Sequence, residues 1–240
     1  MTLSLVIPAF NEEQRLRPFL TSIGEYVEQN PLIIDELLII DDGSTDQTAT
    51  VANAFKKQLP MLRVLKHVEN HGKGAAVQTG MLAARGEYIV FMDADGATSI
   101  TELPKIIEAL RSAQVAIGNR WMAGAKTARH SFMRTFAGWA NRQYMQLFGL
   151  GEIDTMCGFK GYHRDAAHRL FNDLLEKRWL FDTEIAYKAK RLGLSIKNFP
   201  INWESKDGSK LSGPTLIKAA FAIWPLIHRL NRQLPKGNVG

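Results

Sequence analysis

The sequence predicts an α/β fold with a mostly parallel central sheet flanked by helices. Over roughly the first 120 residues, short apolar runs that read as strands alternate with segments that read as helices, an order that implies βαβ crossovers. Polar clusters follow three of those runs directly, at the carboxyl ends where open parallel sheets bind ligands. A chain of 240 residues is also long enough for one large domain with a substantial core.

The first strand is expected at residues 3–9, an apolar run that ends in Pro8-Ala9-Phe10-Asn11-Glu12. A helix at 11–28 follows, for which Asn11 and Glu12 are candidate caps. The strand at 36–41 runs into Asp41-Asp42-Gly43-Ser44-Thr45-Asp46, where Ser44, Thr45 and Asp46 read as a turn and the N-cap of a helix at 46–58. A strand at 62–66 and a helix at 72–85 come next, then a strand at 87–93 that closes on Asp93-Ala94-Asp95-Gly96. A helix at 101–112 and a strand at 114–118 complete the alternation. Beyond about residue 120 the pattern turns to aromatic and basic helices, with one late strand candidate at 196–203. No linker, repeat or low-complexity tract intervenes. The expected organisation is one domain at 1–212, its donor half about 1–120 and its acceptor half 121–212, followed by an amphipathic helix and tail at 213–240.

Thirty Lys and Arg against 24 Asp and Glu give a net charge of +6, which suits phosphate-bearing ligands, nucleic acid or an anionic membrane. The basic residues form no recognised nucleic-acid motif, so no nucleic-acid partner is expected. Cys157 is the single cysteine, which excludes an intrachain disulfide and favours a reducing compartment. The N-terminal run has no basic lead-in and is too short for a signal peptide or a membrane span. A cytoplasmic protein is the expectation.

Asp93 and Asp95 carry the sharpest chemical signal. Carboxylates spaced i, i+2 at a strand end project to one side and can hold a hard cation against a diphosphate. The plainer reading is an exposed Asp pair in a turn. Asp42, beyond a neighbouring strand end, is able to accept from the N–H of a uracil or guanine edge, and Glu12 to reach base or ribose. In His71-Gly72-Lys73-Gly74, small residues let backbone approach a ligand and the following helix N-terminus attracts anions. Lys73 then neutralises diphosphate or contacts the base; the alternative is a solvated lysine. The spacing is not that of a P-loop.

VIPAFNEE, IIDDGSTDQT, NHGKGAAVQTG and FMDADG resemble glycosyltransferase family 2, which has the Rossmann-like GT-A fold. With GNR, DTMCGFKGY, RWLFDTE and DGSKLS they are most similar to its dolichyl-phosphate hexosyltransferase branch, in particular the β-glucosyltransferases. The similarity runs from about Leu3 to Ser212. It implies that Pro8, Ala9, Asn11, Glu12 and Asp42 line a base pocket, that Lys73 and Ala94 lie beside the nucleotide, and that Asp93 and Asp95 engage Mg²⁺ or Mn²⁺ on the diphosphate. It also implies direct displacement with inversion. Related dolichyl-phosphate mannosyltransferases often carry Gln where Ala97 stands here, so no third metal ligand comes from that side chain.

For the acceptor, the resemblance implies phosphate contacts from Arg120, Arg134 and Lys210. A phosphate monoester is already ionised and needs no base, so Asp182, in the region of the family's catalytic base, is expected to orient sugar or a cation, with proton abstraction as the alternative. Trp179 packs on a sugar face or anchors the core. Asp154, Cys157 and Lys160 lie in a family-like signature, with Cys157 read as a small buried side chain. The implied reaction is hexose transfer, glucose from UDP-glucose, to a polyprenyl phosphate. GDP-mannose or another UDP-sugar as donor, and a glycan hydroxyl as acceptor, stay open. A non-catalytic basic module that binds RNA or membrane leaves the carboxylates at the strand ends unexplained.

Apolar residues recur at helical spacing at Met133, Phe136, Ala137, Ala140, Tyr144, Leu147 and Phe148, and again at Leu216, Ala220, Ile223, Ile227 and Leu230. Ile217, Phe221 and Trp224 flank the second stripe, with Lys218, Arg229 and Arg232 opposite. Such faces pack on a core or lie at a membrane interface. Charged residues and Pro225 exclude a span. Peripheral attachment to the cytosolic face of a membrane is the expectation.

Overall fold

The computed structural model describes residues 1–31, 33–128, 132–205 and 213–234, by backbone alone at 132–134, 136, 137 and 213–220. The strands are β1 (Leu3–Ala9), β2 (Glu36–Asp41), β3 (Leu62–Lys66), β4 (Tyr88–Met92), β5 (Val115–Asn119), β6 (Lys126–Ala128), β7 (Phe159–His163), β8 (Ile196–Pro200) and β9 (Asn202–Glu204). The helices are α1 (Glu13–Gln29), α2 (Thr48–Ala54), α3 (Lys73–Ala83), α4 (Leu103–Leu110), α5 (Phe132–Gln146), α6 (Arg164–Phe171), α7 (Phe181–Arg191) and α8 (Gly213–Gln233).

Seven strands form one sheet in the order β3-β2-β1-β4-β7-β5-β8, and β6 pairs with β9 beside it. β7 runs antiparallel to β4 and β5, whereas the other pairings are parallel. The mostly parallel sheet expected from the alternation is therefore present. Every residue of β1 and β2 is buried, because helices cover both faces and demand apolar side chains on each. Leu16, Phe19, Leu20 and Ile23 of α1, Val51 of α2 and Ile106 of α4 fill one face. Val77 of α3, Leu170 of α6, Ile185 of α7 and Leu230 of α8 fill the other. The strand order reverses beside β1, so a crevice opens beyond its carboxyl end and that of β4.

The structure shortens several expected elements. The helices expected at 46–58 and 101–112 contain 3-10 turns at Phe55–Lys57 and Ile100–Glu102 and end early. The strand expected at 196–203 divides at the buried Ile201, its first part joining the main sheet and its second pairing with β6. The expectation of helices and one late strand after residue 120 missed the short β6 and also β7, which lies inside the main sheet between β4 and β5. Lys160 and Gly161 hide its apolar character. At Gly161 a Cβ would stand 2.9 Å from methyl carbons of Ile106 and Leu110, so these α4 side chains pack closely onto the bare backbone.

Ile223, Leu226, Ile227 and Leu230 bury the inner face of α8 against the core, while Phe221 is 78% and Trp224 61% exposed. Ile223, Ile227 and Leu230 of the expected stripe therefore pack inward, and the flanking Phe221 and Trp224 face out. Among the described side chains of α5, Met145 is buried, and the predicted Leu147 just beyond the helix is exposed. The side chains of Met133, Phe136, Ala137, Leu216, Ile217, Lys218 and Ala220 lie outside the described residues. Among those described, no helix is long and apolar enough to cross a membrane.

Candidate active site

Two polar loops interlock where β1 and β2 end. The Asn11 N–H donates to Ser44 Oγ, the Glu12 N–H to Thr48 Oγ1 and the Glu13 N–H to Asp46 Oδ2, while Asn11 Oδ1 accepts from the Thr45 N–H. The turn role expected of Ser44, Thr45 and Asp46 is therefore observed, but the N-cap position of α2 falls on Gln47, one residue later, with Asp46 accepting from the Thr48 N–H. Glu12 occupies the N-cap position of α1 but makes no side-chain cap. Its carboxylate instead pairs with Arg15 at 2.6 Å.

Asp42 has partners within the protein. Its carboxylate, 2% exposed, accepts from Asn70 Nδ2 and the Gly72 N–H at 2.8 Å each and from the His71 N–H at 3.0 Å. His67 Nδ1 lies 2.7 Å away and its Nε2 lies 2.9 Å from Thr79 Oγ1 on α3. A carboxylate has about four acceptor positions, so Asp42 is occupied in holding the loop that leads to Lys73. Pro8 and Ala9 are buried as well.

At the N-terminus of α3, two of the leading backbone donors face protein. The N–H groups of Gly74 and Ala75 donate to the carbonyls of Arg178 and Lys177. The glycines serve the same packing, for a Cβ at Gly72 would lie 2.5 Å from Lys177 O and one at Gly74 2.7 Å from Glu176 O. Backbone approaches backbone here, not a ligand. What α3 delivers is the Lys73 ammonium, 2.6 Å from Asp93 Oδ1 and 5.9 Å from the Trp179 ring. Trp179 is 37% exposed, so it lines the cleft and does not anchor the core.

β4 stops at Met92, and Asp93 to Gly96 form a turn with Gly96 at φ +67°. The two carboxylates come together by this turn, not by strand pleating. Asp95 Oδ1 accepts from the Ala97 N–H at 3.0 Å, and the Asp93 N–H donates to Gly158 O at 3.0 Å. Ala94 between them is buried. A Cβ on Gly158 would stand 1.9 Å from Asp93 Oδ2, so glycine leaves the space that this carboxylate occupies. Burial first, and the Asp93 charge second, push the Asp95 carboxyl above the usual range. Two hard oxygen donors that repel one another fit a divalent cation, which relieves the repulsion. Asp93 Oδ1 is buried without a hydrogen bond of normal geometry, its contact with Lys73 being close but poorly aligned. Burial would lower the Lys73 pKa, but the charges of Asp93, Asp182 and Asp95 outweigh it and hold the ammonium protonated.

Asp182, in the first turn of α7, is buried and accepts from Lys160 Nζ at 2.6 Å. Burial raises its carboxyl above the usual range, against the pull of Lys160 and Lys73. Arg120 sits after β5 with Nε and Nη2 each 2.8 Å from the two oxygens of Asp154, and its guanidinium stacks 5.1 Å from the Trp203 ring. The expected bidentate grip on phosphate is thus taken by Asp154, a buried carboxylate that would otherwise be uncompensated. Burial works against both charges, yet the pair holds Asp154 below and Arg120 above its ordinary range. Cys157 is fully buried, its thiol pushed up to about 12 by burial, as expected of an inert packing residue. Lys210 lies outside the described residues, as does the side chain of Arg134. The structural roles of His67, Asn70 and Trp203 had no signal in the sequence, because each depends on a long-range partner.

Residues 4–171 match the family described as Glycosyl transferase family 2. The chain is 39% identical to the dolichyl-phosphate beta-glucosyltransferase of Drosophila melanogaster over 93% of its own length and 74% of the relative's. It is 35% identical to the enzyme of that name from Homo sapiens, over 87% of this chain and 69% of the relative. Among solved structures, glucosyl-3-phosphoglycerate synthase from Mycobacterium tuberculosis, crystallised with Mn²⁺, UDP and glucosyl-3-phosphoglycerate, superposes with a TM-score of 0.71 at 22% identity. That alignment covers all of this chain and 82% of the other. Mannosyl-3-phosphoglycerate synthase from Rubrobacter xylanophilus follows the same fold at a TM-score of 0.65 and 18% identity, over 97% of this chain and 74% of the other.

Proposed function

Because the chain belongs to glycosyltransferase family 2, we propose that it transfers glucose from UDP-glucose to a polyprenyl phosphate of the dolichyl type. The observation that carries this reading is the charge cluster at the carboxyl edge of the sheet, where Lys73, Asp93, Asp95 and Asp182 converge. Its chemistry suits a diphosphate leaving group held through a cation, and the named relatives give the sugar and the acceptor.

The uracil base is assigned to the ends of β1 and β2, against Pro8, Ala9, Asn11 and Glu12, with Asp42 shaping that pocket through the 70–72 loop. Lys73 and Ala94 flank the diphosphate. Asp93 and Asp95 would hold Mg²⁺ or Mn²⁺, and when bound the cation supplies Lewis-acid stabilisation of the departing UDP. A phosphate oxygen of the acceptor attacks the anomeric carbon while the bond from that carbon to the UDP oxygen breaks, which inverts the centre. No proton has to be removed from an ionised phosphate. Asp182 therefore orients the reactants. Arg120 is assigned to the acceptor phosphate through the N–H groups that its pair with Asp154 leaves over, and Arg134 and Lys210 are assigned to complete that site.

Such an acceptor puts the protein at a membrane surface, on the cytosolic side where UDP-glucose is available. Residues 120–151 hold five Lys and Arg and residues 208–240 another five, with no Asp or Glu in either stretch. With the exposed Phe221 and Trp224 on α8, this charge suits peripheral contact with anionic lipid.

The test is transfer of label from UDP-glucose, with GDP-mannose in parallel, to a polyprenyl phosphate in detergent with Mg²⁺ or Mn²⁺. Label in the organic phase from UDP-glucose alone is the expected result. Label from GDP-mannose alone would overturn the sugar, and failure of both with UDP still bound would overturn the acceptor.

A further inference from the structure

Lys160 is 1% exposed in the middle of β7, directly across from Phe91 of β4. Its ammonium donates to Thr155 O at 3.2 Å, to Cys157 O at 2.5 Å and to Asp182 Oδ1 at 2.6 Å. An ammonium has three N–H donors, so these acceptors use them all. A buried cation is costly even when paired, and an apolar side chain of similar length would fill a strand position with less penalty. The lysine is explained by what it joins. On one side is the 154–158 turn, which carries Asp154, the partner of Arg120, and Gly158, whose carbonyl takes the Asp93 N–H. On the other is Asp182 at the start of α7.

We propose that Lys160 is a positioning residue for transfer: it ties the Asp182 carboxylate to the Thr155–Cys157 turn, and so sets the spacing between the donor-side Asp93 and the acceptor-side Arg120. The inference rests on the function proposed above. Lys160 acts through other groups, being sealed beneath them, and its ammonium lies 5.5 Å from the ring of Phe91.

The experiment compares Lys160→Met, Asp182→Asn and the double variant by kcat, by KM for UDP-glucose and by calorimetric titration with UDP and Mn²⁺, which counts folded donor sites. Lys160→Met is expected to lower kcat per UDP-binding site by about 100-fold or more, with the donor KM within about threefold of wild type. Asp182→Asn should give a similar loss, and the double variant no more than about threefold beyond the larger single effect, because the two side chains act as one unit. A merely structural lysine would reduce the number of UDP-binding sites and leave kcat per site unchanged. That result, or losses that multiply, would overturn the proposal. Where Lys160→Met yields no folded protein, wild-type kcat in Asp182→Asn overturns it. Wild-type protein inactive with both sugar donors would sink the proposed reaction and this inference together, whereas an active wild type with unaffected variants sinks the inference alone.

Discussion

Lys73 Nζ stands 2.6 Å from Asp93 Oδ1, so a lysine at the start of α3 and a carboxylate just after β4 share one ion pair at the carboxyl edge of the sheet. A divalent cation on Asp93 and Asp95 would compete with this ammonium. Lys73→Met is expected to tighten Mn²⁺ binding in the absence of nucleotide by about tenfold, since a nearby like charge is removed. The donor KM should rise by about tenfold in the same variant, for the diphosphate loses a cation. Electron paramagnetic resonance titration of free Mn²⁺ measures the first, and unchanged affinity would exclude the competition.

Asp95→Asn should cut turnover by about a hundredfold or more at saturating metal, because leaving-group charge is then poorly compensated. Its effect on stability has the opposite sign. The folded-state Asp95 carboxyl is raised by burial and by Asp93, so its ionisation disfavours the fold above that raised pKa. The penalty is relieved as pH falls through the raised value toward the unfolded one. Metal-free Asp95→Asn should therefore melt higher than wild type at pH 7, and the difference should shrink on acidification. A lower melting temperature for the variant at pH 7 would refute this.

Asp42→Asn should destabilise the fold by about 2–3 kcal/mol, because an amide loses acceptor capacity toward Asn70, His71 and Gly72 and turns its own donors against theirs. Urea unfolding measures this. A rise in donor KM without loss of stability would mean that the carboxylate serves the base directly.

The two faces of α8 should separate cleanly. Leu230→Ala, on the buried face, is expected to cost about 2–5 kcal/mol. Phe221→Ser, at a side chain 78% exposed, should leave the melting temperature within about 2 °C. It should lower activity on a long-chain acceptor in anionic vesicles more than on a short soluble analogue. Equal activity on both would remove α8 from the membrane contact.

The alternation of strands and helices, the turn at Ser44-Thr45-Asp46 and the acidic pair at Asp93 and Asp95 were legible from residue order, because each depends on neighbours within a few positions, and the buried Cys157 was legible from residue type. The antiparallel β7 was not, for its burial arises from α4 packing over Gly161 and from β4 and β5 on either side. The same holds within the site. Sequence alone determined which charged groups stand at the ends of the strands. Only the tertiary structure decided their partners: Asp42 with the 70–72 loop, Arg120 with Asp154, and Lys160 with Asp182. A buried charge has to find its complement wherever the chain brings one, and these complements lie 30, 34 and 22 residues away. No local pattern encodes that separation.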